Sequence, residues 1–463
     1  MKKALVLTLL SFTLTLLPAV ATLRLSSPFS DGMVLQQNSN ARIWGWAKPN
    51  AKVTARASWN NKAVSATADA NGRWQLSLAT PAGSFTPYQV TLAEVNKVIL
   101  HNVLVGEVWI GSGQSNMEMS LAGRQNRVIE NINREILGAN NYSGKLHLAI
   151  VEHNAQACPQ DTCTMHWQDC SSATVAPWSA VCYFFATTLI DALHCPVGII
   201  ETCWGGTSVE SWSPADVLPA PVSENDKKDY SVRYNGMIHP LLGYTVSGFI
   251  WYQGEANVGR NQLYAAQLAK TITAWRKAWQ LGDLPFYQVE ICPYYYDKDV
   301  NGINGALLRE AQDNVTLTTP NTGMVCTNDL VKPYEVRQIH PMMKREVGER
   351  LACMALGRHY HVPGLFTDYP RYNSMTVKND NVILSLSNCK QGFNRFDDIQ
   401  GFEICGTDKH YYPAHASVNG TDIVLSAPKV RQPVAVRYCF RNFQLGNLTN
   451  IGGLPLIPFR TDK

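Results

Sequence analysis

The chain has 463 residues, of which 45% are hydrophobic and 16% charged, a composition typical of globular proteins that excludes a disordered chain. The formal net charge is +4 and no run of basic residues occurs, so nothing in the sequence indicates a nucleic-acid partner. The length predicts two or three domains.

Residues 1–21 have the pattern of a secretory signal peptide. Lys2 and Lys3 give a positive start, residues 4–17 an apolar core, and residues 19–21 a small-residue cleavage site. A membrane anchor is the alternative, but the apolar segment is shorter than the roughly 20 residues that a spanning helix needs. We therefore expect a secreted or lysosomal chain, reached through the secretory pathway, with no membrane contact after cleavage.

Residues 22–102 predict a β-sandwich-like domain. Apolar and polar residues alternate in residues 41–47 and 52–57, and Asn71-Gly72 is typical of a tight hairpin turn. A small β-domain of this kind either binds sugar or supports its neighbour, and we favour support.

Residues 103–359 alternate between strand and helix patterns. Apolar runs at residues 103–110, 197–200, 246–252 and 285–291 have the length of buried strands, and helical patterns separate several of them. The alternation predicts a three-layer α/β/α domain around a parallel sheet. Residues 360–463 return to short strand patterns and predict a C-terminal β-rich region.

The cysteines and the glycosylation motifs fit an exported protein. The first four of the twelve cysteines crowd one segment, which predicts a disulfide-stapled insertion near residues 155–182. With His166 their spacing also resembles zinc ligands, but the signal peptide favours disulfides, and we predict no metal. These cysteines are Cys158, Cys163, Cys170 and Cys182. The candidate N-glycosylation sites are Asn141, Asn314, Asn419 and Asn447.

Ser115 is the candidate nucleophile. It follows the strand pattern of residues 103–110 through a turn containing Gly111 and Gly113, and glycines permit such a sharp turn. A solvated serine in a glycine loop is the alternative. Two further polar segments, residues 204–207 and 253–255, also follow predicted strands. Since the carboxyl ends of parallel strands meet at one edge of a sheet, we expect these segments to lie together.

Acyl transfer by a serine needs donors for the oxyanion and a base. The predicted donors are the N–H groups of Ser115 and of Gly205 or Gly206, with the side-chain amide of Gln253. The candidate substrate contacts are Glu255, Asn257 and His239. Two histidines, His239 and His340, precede prolines that start helical patterns, and the sequence pattern alone does not choose between them as the base.

Six short segments, taken in order, resemble the sialate O-acetylesterase family of SGNH hydrolases. They are residues 34–37, 113–117, 204–207, 235–240, 251–255 and 339–341. The resemblance extends to about Ala352. It implies a serine esterase that removes O-acetyl groups from sialic acids through an acetyl-enzyme, without a cofactor, and it assigns the base to His340.

The chain departs from the SGNH pattern next to His340. These enzymes usually carry an aspartate three residues before the histidine, where this chain has Arg337. Asp329 and Glu335 are the nearest upstream acids and the candidates for the third catalytic residue; a Ser115–His340 dyad oriented by a backbone carbonyl is the alternative. Two other functions remain open: an acetyl esterase for other acetylated polysaccharides, and a secreted carbohydrate-binding glycoprotein with weakened catalysis.

Overall fold

A computed structural model describes residues 23–221 and 223–462. The predicted signal peptide, residues 1–21, lies outside the described residues. Within these ranges, no helix is long and apolar enough to cross a membrane.

The N-terminal region is built from short antiparallel strands. Their alternating burial follows the apolar–polar pattern of the sequence, with Ile43, Trp74 and Leu76 turned inward. Strands β1, β3 and β6 form one sheet, and β4 pairs with β5 and β7 in another. The strands are β1 (Arg24–Leu25), β2 (Val34–Gln36), β3 (Asn40–Trp46), β4 (Lys52–Ala57), β5 (Ala63–Thr67), β6 (Arg73–Ala79) and β7 (Ser84–Ala93).

One long strand, β8 (Lys97–Gly113), joins the N-terminal region to the centre of the protein. Its first half pairs with β7, and its parallel pairing with β2 begins at Leu104. Its second half lies in the middle of the central sheet. The predicted domain boundary between residues 102 and 103 therefore falls inside a continuous strand.

The central sheet has the order β10-β9-β11-β8-β12-β13-β14. All neighbouring strands on this path run parallel except β10, which is antiparallel to β9 at the edge. The added strands are β9 (Leu146–Val151), β10 (Met165–Asp169), β11 (Val197–Cys203), β12 (Gly248–Tyr252), β13 (Phe286–Val289) and β14 (Thr322–Val325). The strands β11 to β14 are buried along their whole length because both faces of the sheet are covered.

Helices cover both faces of this sheet. The α-helices of the described residues are α1 (Ser115–Glu118), α2 (Ile132–Gly138), α3 (Ala180–Leu193), α4 (Glu224–Asp229), α5 (Asn261–Trp279), α6 (Asn304–Thr318) and α7 (Lys344–Arg358). Helices α3 and α7 pack together on one face, and α5 and α6 on the other. Strand β12 shows both layers, since Trp251 packs against Trp275 of α5 while Ile250 and Tyr252 join the α3–α7 core. The predicted three-layer α/β/α fold with flanking β-rich regions is confirmed.

The C-terminal region consists of two four-stranded antiparallel sheets around one apolar core. Their orders are β15-β16-β20-β19 and β18-β17-β21-β22. The strands are β15 (Arg371–Lys378), β16 (Asn381–Ser387), β17 (Phe402–Cys405), β18 (Tyr411–Pro413), β19 (His415–Asn419), β20 (Asp422–Ser426), β21 (Ala435–Tyr438) and β22 (Phe459–Arg460). Arg371 and Arg460 attach this region to α6 through ion pairs with Asp313 and Glu310.

The predicted disulfides are not present. All twelve cysteines are free. Cys170 donates to the carbonyl of Ala139, and the Cys182 thiol lies in the core beside Met117, whereas Cys158 is exposed. In the described part of the chain, no group of three or more histidine, cysteine or acidic side chains is arranged to hold a metal ion.

Candidate active site

The loop after β8 presents Ser115 at the carboxyl edge of the central sheet. Gly113 ends β8 with φ +138°, and a Cβ at this position would collide with the Tyr252 carbonyl, so the turn requires glycine. Gln114 is extended and accepts at Oε1 from the N–H groups of Gly254 (3.2 Å) and Ala256 (3.3 Å). Helix α1 then begins at Ser115, which is held against the loop after β12.

His340 lies next to Ser115. Its Nε2 is 2.8 Å from Ser115 Oγ, and the imidazole belongs to the loop between β14 and α7. The other candidate, His239, is elsewhere: its Nδ1 lies 2.8 Å from the Gln160 carbonyl, in a groove shared with Trp44 of the N-terminal region. Of the two histidines, only His340 is bonded to the candidate nucleophile.

The surroundings of His340 favour a neutral imidazole. The residue is only 6% exposed, and burial, together with the positive charges of Arg127, Lys344 and Arg124, lowers its pKa to about 3. A neutral imidazole at ordinary pH can accept the Ser115 proton at Nε2.

Neither predicted acid reaches His340. Asp329 forms a two-pronged ion pair with Arg350, at 2.8 and 2.6 Å. Glu335 accepts from the N–H groups of Lys332 (2.9 Å) and Met342 (3.0 Å) and so closes the loop that carries His340. The prediction of a catalytic acid at either position is wrong, because both carboxylates are committed to other partners. Within residues 23–221 and 223–462, His340 forms no hydrogen bond or ion pair with a carboxylate.

The structure leaves two of the four predicted oxyanion donors free. The N–H groups of Ser115 and Gly206 have no acceptor among the described residues. The Gly205 N–H donates to Glu118 Oε2 at 2.8 Å. Both amide hydrogens of Gln253 are occupied, by the Thr207 carbonyl and by Asn257 Oδ1 (2.8 Å). The prediction of Gln253 as an oxyanion donor is therefore corrected. Its fully buried side-chain amide instead connects Thr207 to Asn257 in the loop after β12.

Two predicted substrate contacts also face inward. Asn257 is buried, accepting from the Val209 N–H at 3.0 Å and donating to Glu210 Oε2 at 2.9 Å. Glu255 is 8% exposed, and its Oε1 accepts from the side chain of Asn116. Both residues stabilise the loop after β12 instead of lining the open side of the site.

Sequence reasoning missed a charged and aromatic cluster beside Ser115. The Glu118 carboxylate, one turn after the nucleophile, lies 3.0 Å from His153 Nε2 and 3.7 Å from the Arg124 guanidinium. The His153 ring stacks on Trp204 with centroids 4.1 Å apart, and Arg233 lies over the same indole at 4.4 Å. Two of these residues had a signal in the sequence: Trp204 lies in the segment of residues 204–207, and Glu118 has helical spacing from Ser115.

Comparison with known proteins identifies the family. The family model described as a carbohydrate esterase, sialic acid-specific acetylesterase, matches residues 105–356, which include Ser115 and His340. The chain belongs to this acetylesterase family.

Relatives match along most of the chain. A sialate O-acetylesterase of Pongo abelii is 30% identical over 90% of this chain and 87% of the relative. A sialate O-acetylesterase of Homo sapiens is 29% identical over 86% of this chain and 82% of the relative. Among solved structures, a carbohydrate acetylesterase from Xanthomonas citri superimposes with TM-score 0.85 and 32% identity, covering 95% of this chain and 99% of that one. The protein is thus a carboxylic ester hydrolase, an acetylesterase acting on acetylated carbohydrate.

Proposed function

We propose that this acetylesterase removes O-acetyl groups from sialic acids through a serine-bound acetyl intermediate. The observation that carries the proposal is the 2.8 Å contact between Ser115 Oγ and His340 Nε2 inside the family-matched region. The mammalian relatives named sialate O-acetylesterases support the choice of sugar.

The reaction follows from this geometry in two halves. Ser115 Oγ attacks the acetyl carbonyl while its proton passes to His340 Nε2, and the N–H groups of Ser115 and Gly206 stabilise the oxyanion. His340 then gives this proton to the departing sugar oxygen, which leaves the acetyl group on Ser115. In the second half, water transfers a proton to His340 and attacks the acetyl-enzyme; acetate departs and Ser115 regains its proton.

Substitution of Ser115 tests the mechanism. Ser115→Ala should lower the rate of acetate release by roughly 10⁴-fold or more, and His340→Ala nearly as much, because the two groups act as a unit. His239→Ala, which leaves this pair intact, should lose far less, and all three variants should keep the wild-type circular dichroism spectrum. The mechanism fails if Ser115→Ala still hydrolyses acetyl esters or if a serine-reactive fluorophosphonate labels the wild type at another residue.

Two arginines near His340 favour an acidic sugar. Arg124 and Arg127 exchange backbone hydrogen bonds of 2.9 and 2.8 Å, and Gln338 Nε2 donates to the Asn126 carbonyl at 2.6 Å, so their loop is fixed against the loop of His340. The Arg124 side chain is 56% exposed. Guanidinium groups bind carboxylates well, and sialic acids carry a carboxylate whereas acetylated xylan does not.

A double variant distinguishes an acidic sugar substrate from the alternative, a neutral acetylated polysaccharide. Arg124→Ala with Arg127→Ala should lower kcat/KM for an O-acetylated sialic acid by about 10-fold or more, since each charged hydrogen bond contributes about 1.5–3 kcal/mol. Hydrolysis of p-nitrophenyl acetate, which has no carboxylate, is the matched control. Equal losses on both esters, or faster turnover of acetylated xylan by the wild type, would point to the neutral substrate.

The secretory route, to the lysosome or the cell exterior, stays a prediction from residues 1–21, and so does glycosylation. Three of the motif asparagines, Asn141, Asn314 and Asn419, are exposed. Asn447 instead donates to the Asp398 carbonyl and accepts from the Gln400 N–H, both at 2.9 Å. A glycan on Asn447 would leave one N–H on the Nδ2 atom that donates to Asp398.

A further inference from the structure

The side chain of Asn116 connects the two halves of the candidate site. Asn116 follows Ser115 and is fully buried. Its Nδ2 donates to the carbonyl of Ile339, the residue before His340, at 2.9 Å, and also to Glu255 Oε1. Its Oδ1 accepts from Lys344 Nζ at 2.6 Å. One amide next to the nucleophile therefore holds the backbone next to the base.

The chemistry of its partners fixes the orientation of this amide. The Ile339 carbonyl only accepts hydrogen bonds, whereas the Lys344 ammonium only donates them. A flipped amide would place its NH₂ against the ammonium and its oxygen against the Ile339 carbonyl. The Asn116 side chain thus has one satisfied orientation, and that orientation bonds the His340 loop.

Burial of the Lys344 ammonium costs free energy, and its hydrogen bond to the Asn116 side-chain amide partly offsets this cost. It is fully buried on the first turn of α7, with its Nζ 5.2 Å from the centre of the Tyr252 ring. Burial lowers its pKa to about 8, although Cys292, Glu255 and Glu335 oppose the shift. An isolated buried charge is strongly unfavourable, so a lysine retained here needs compensating partners, which Asn116 and the Glu255 charge supply.

We propose that Asn116 and Lys344 are positioning residues. Together they hold His340 beside Ser115, a role that the acid has in a catalytic triad. The inference rests on the proposed Ser115–His340 mechanism. Asn116 fixes the distance between nucleophile and base, and Lys344 fixes the Asn116 amide. Unlike a triad acid, Lys344 places a positive charge near the imidazole and works against its protonation.

The charges around His340 set the direction of the pH effect. Arg124 and Arg127 face it from the loop after α1, and Lys344 from α7. Glu255 and Glu335 lie nearer to Lys344, and neither forms a hydrogen bond or ion pair with the imidazole. Removing the Lys344 charge therefore leaves fewer positive charges opposing protonation of the imidazole.

The first test replaces Lys344. Lys344→Met should lower kcat by about 10-fold or more with little change in KM, because the residue is buried and a modest displacement of the base slows the reaction. The low-pH midpoint of kcat/KM should rise by about one pH unit. Arg276→Met is the matched control: it removes another buried cation, bonded to the Leu284 and Pro320 carbonyls at the opposite edge of the sheet. This control should lower Tm without moving the midpoint.

The second test, at pH 7, removes the hydrogen-bond donor of the Asn116 side chain. Asn116→Asp removes the donor to Ile339 and faces the Glu255 carboxylate with another, and kcat should fall by about 100-fold. Adding Glu255→Gln supplies a donor to Asp at position 116 and should recover part of that loss. Additive losses in the double variant, or a Lys344→Met midpoint equal to the wild type, overturn the inference. A Ser115→Ala variant that retains activity overturns the proposed function itself, so the two failures are distinguishable.

Discussion

At the residue scale, the proposed base, His340, has a lowered pKa and no carboxylate bonded to it among the described residues. In a triad, the carboxylate stabilises the imidazolium and favours proton transfer to histidine. His340 is buried near cations, which oppose its protonation to an imidazolium. In the proposed mechanism, the free N–H groups of Ser115 and Gly206 stabilise the charge on the substrate instead.

The activity of the wild type should persist in acid. In the proposed mechanism the base works in its neutral form, and since the pKa of His340 is lowered from 6.5 to about 3, the imidazole stays mostly neutral from pH 7 down to about pH 5. We expect kcat/KM for an acetyl ester to stay nearly constant from about pH 7 to about pH 5, whereas a histidine with its ordinary pKa would lose most of its activity over that range. A midpoint near pH 6.5 in a pH profile measured on folded protein would contradict this expectation.

The same shift has the opposite consequence for stability. Between pH 6.5 and about 3 the unfolded chain binds a proton at His340 that the folded chain does not. The contribution of His340 to the free energy of unfolding therefore falls as the pH falls through this range. Activity and stability should therefore respond differently to acid: between pH 6.5 and about 4, kcat/KM should hold while the free energy of unfolding already falls.

At the scale of elements, the loop before α7 is closed by one side chain. Glu335 is 4% exposed and accepts from the N–H groups at both ends of the loop, at Lys332 and Met342. Glu335→Ala should lower Tm, because each buried N–H left without a partner costs about 1–3 kcal/mol, and should also reduce kcat.

A second loop variant separates these two effects. Asp329→Asn weakens the ion pair with Arg350 beside the same loop without touching the Lys332 and Met342 bonds. We expect it to lower Tm while leaving kcat much closer to the wild type. Thermal unfolding and steady-state kinetics check both variants, and an unchanged kcat in Glu335→Ala would show that His340 does not depend on this closure.

The sequence was sufficient to predict the central strands and the pair Ser115 and His340. It was not sufficient to predict the residues that hold this pair together. The apolar run at residues 103–110 predicted only the part of β8 that is buried on both faces; the strand begins at Lys97, where alternate residues are exposed. The family resemblance and the strand-end rule led to Ser115 and His340. Asn116 and Lys344 are 228 positions apart, and no local pattern links residues so distant. The disulfide prediction relied on the compartment inferred from residues 1–21, whereas the structure has all twelve cysteines free.

At the scale of the whole molecule, Glu107 joins three parts of the chain. This buried residue of β8 accepts from Gln36 (3.0 Å) and Gln37 (2.6 Å) of the N-terminal region, from Ser247 before β12, and from the Tyr360 hydroxyl (2.7 Å) after α7. Gln36 and Gln37 belong to residues 34–37, the first of the six segments that resemble the family, and both donate to Glu107. The N-terminal region is thus bonded to the catalytic domain through side chains as well as through a shared strand.

This arrangement predicts that the N-terminal and catalytic regions unfold together. Glu107→Leu removes the acceptor shared by Gln36, Gln37, Ser247 and Tyr360 and should destabilise the protein by about 1–3 kcal/mol for each donor that finds no other partner. Asp380→Ala, which removes an exposed ion pair with Arg431, is the control and should cost at most about 1 kcal/mol. In calorimetry both regions should melt in one transition in the wild type, and that transition should move to lower temperature in Glu107→Leu. An N-terminal region that melts separately in the wild type would show that β8 and Glu107 do not couple the two.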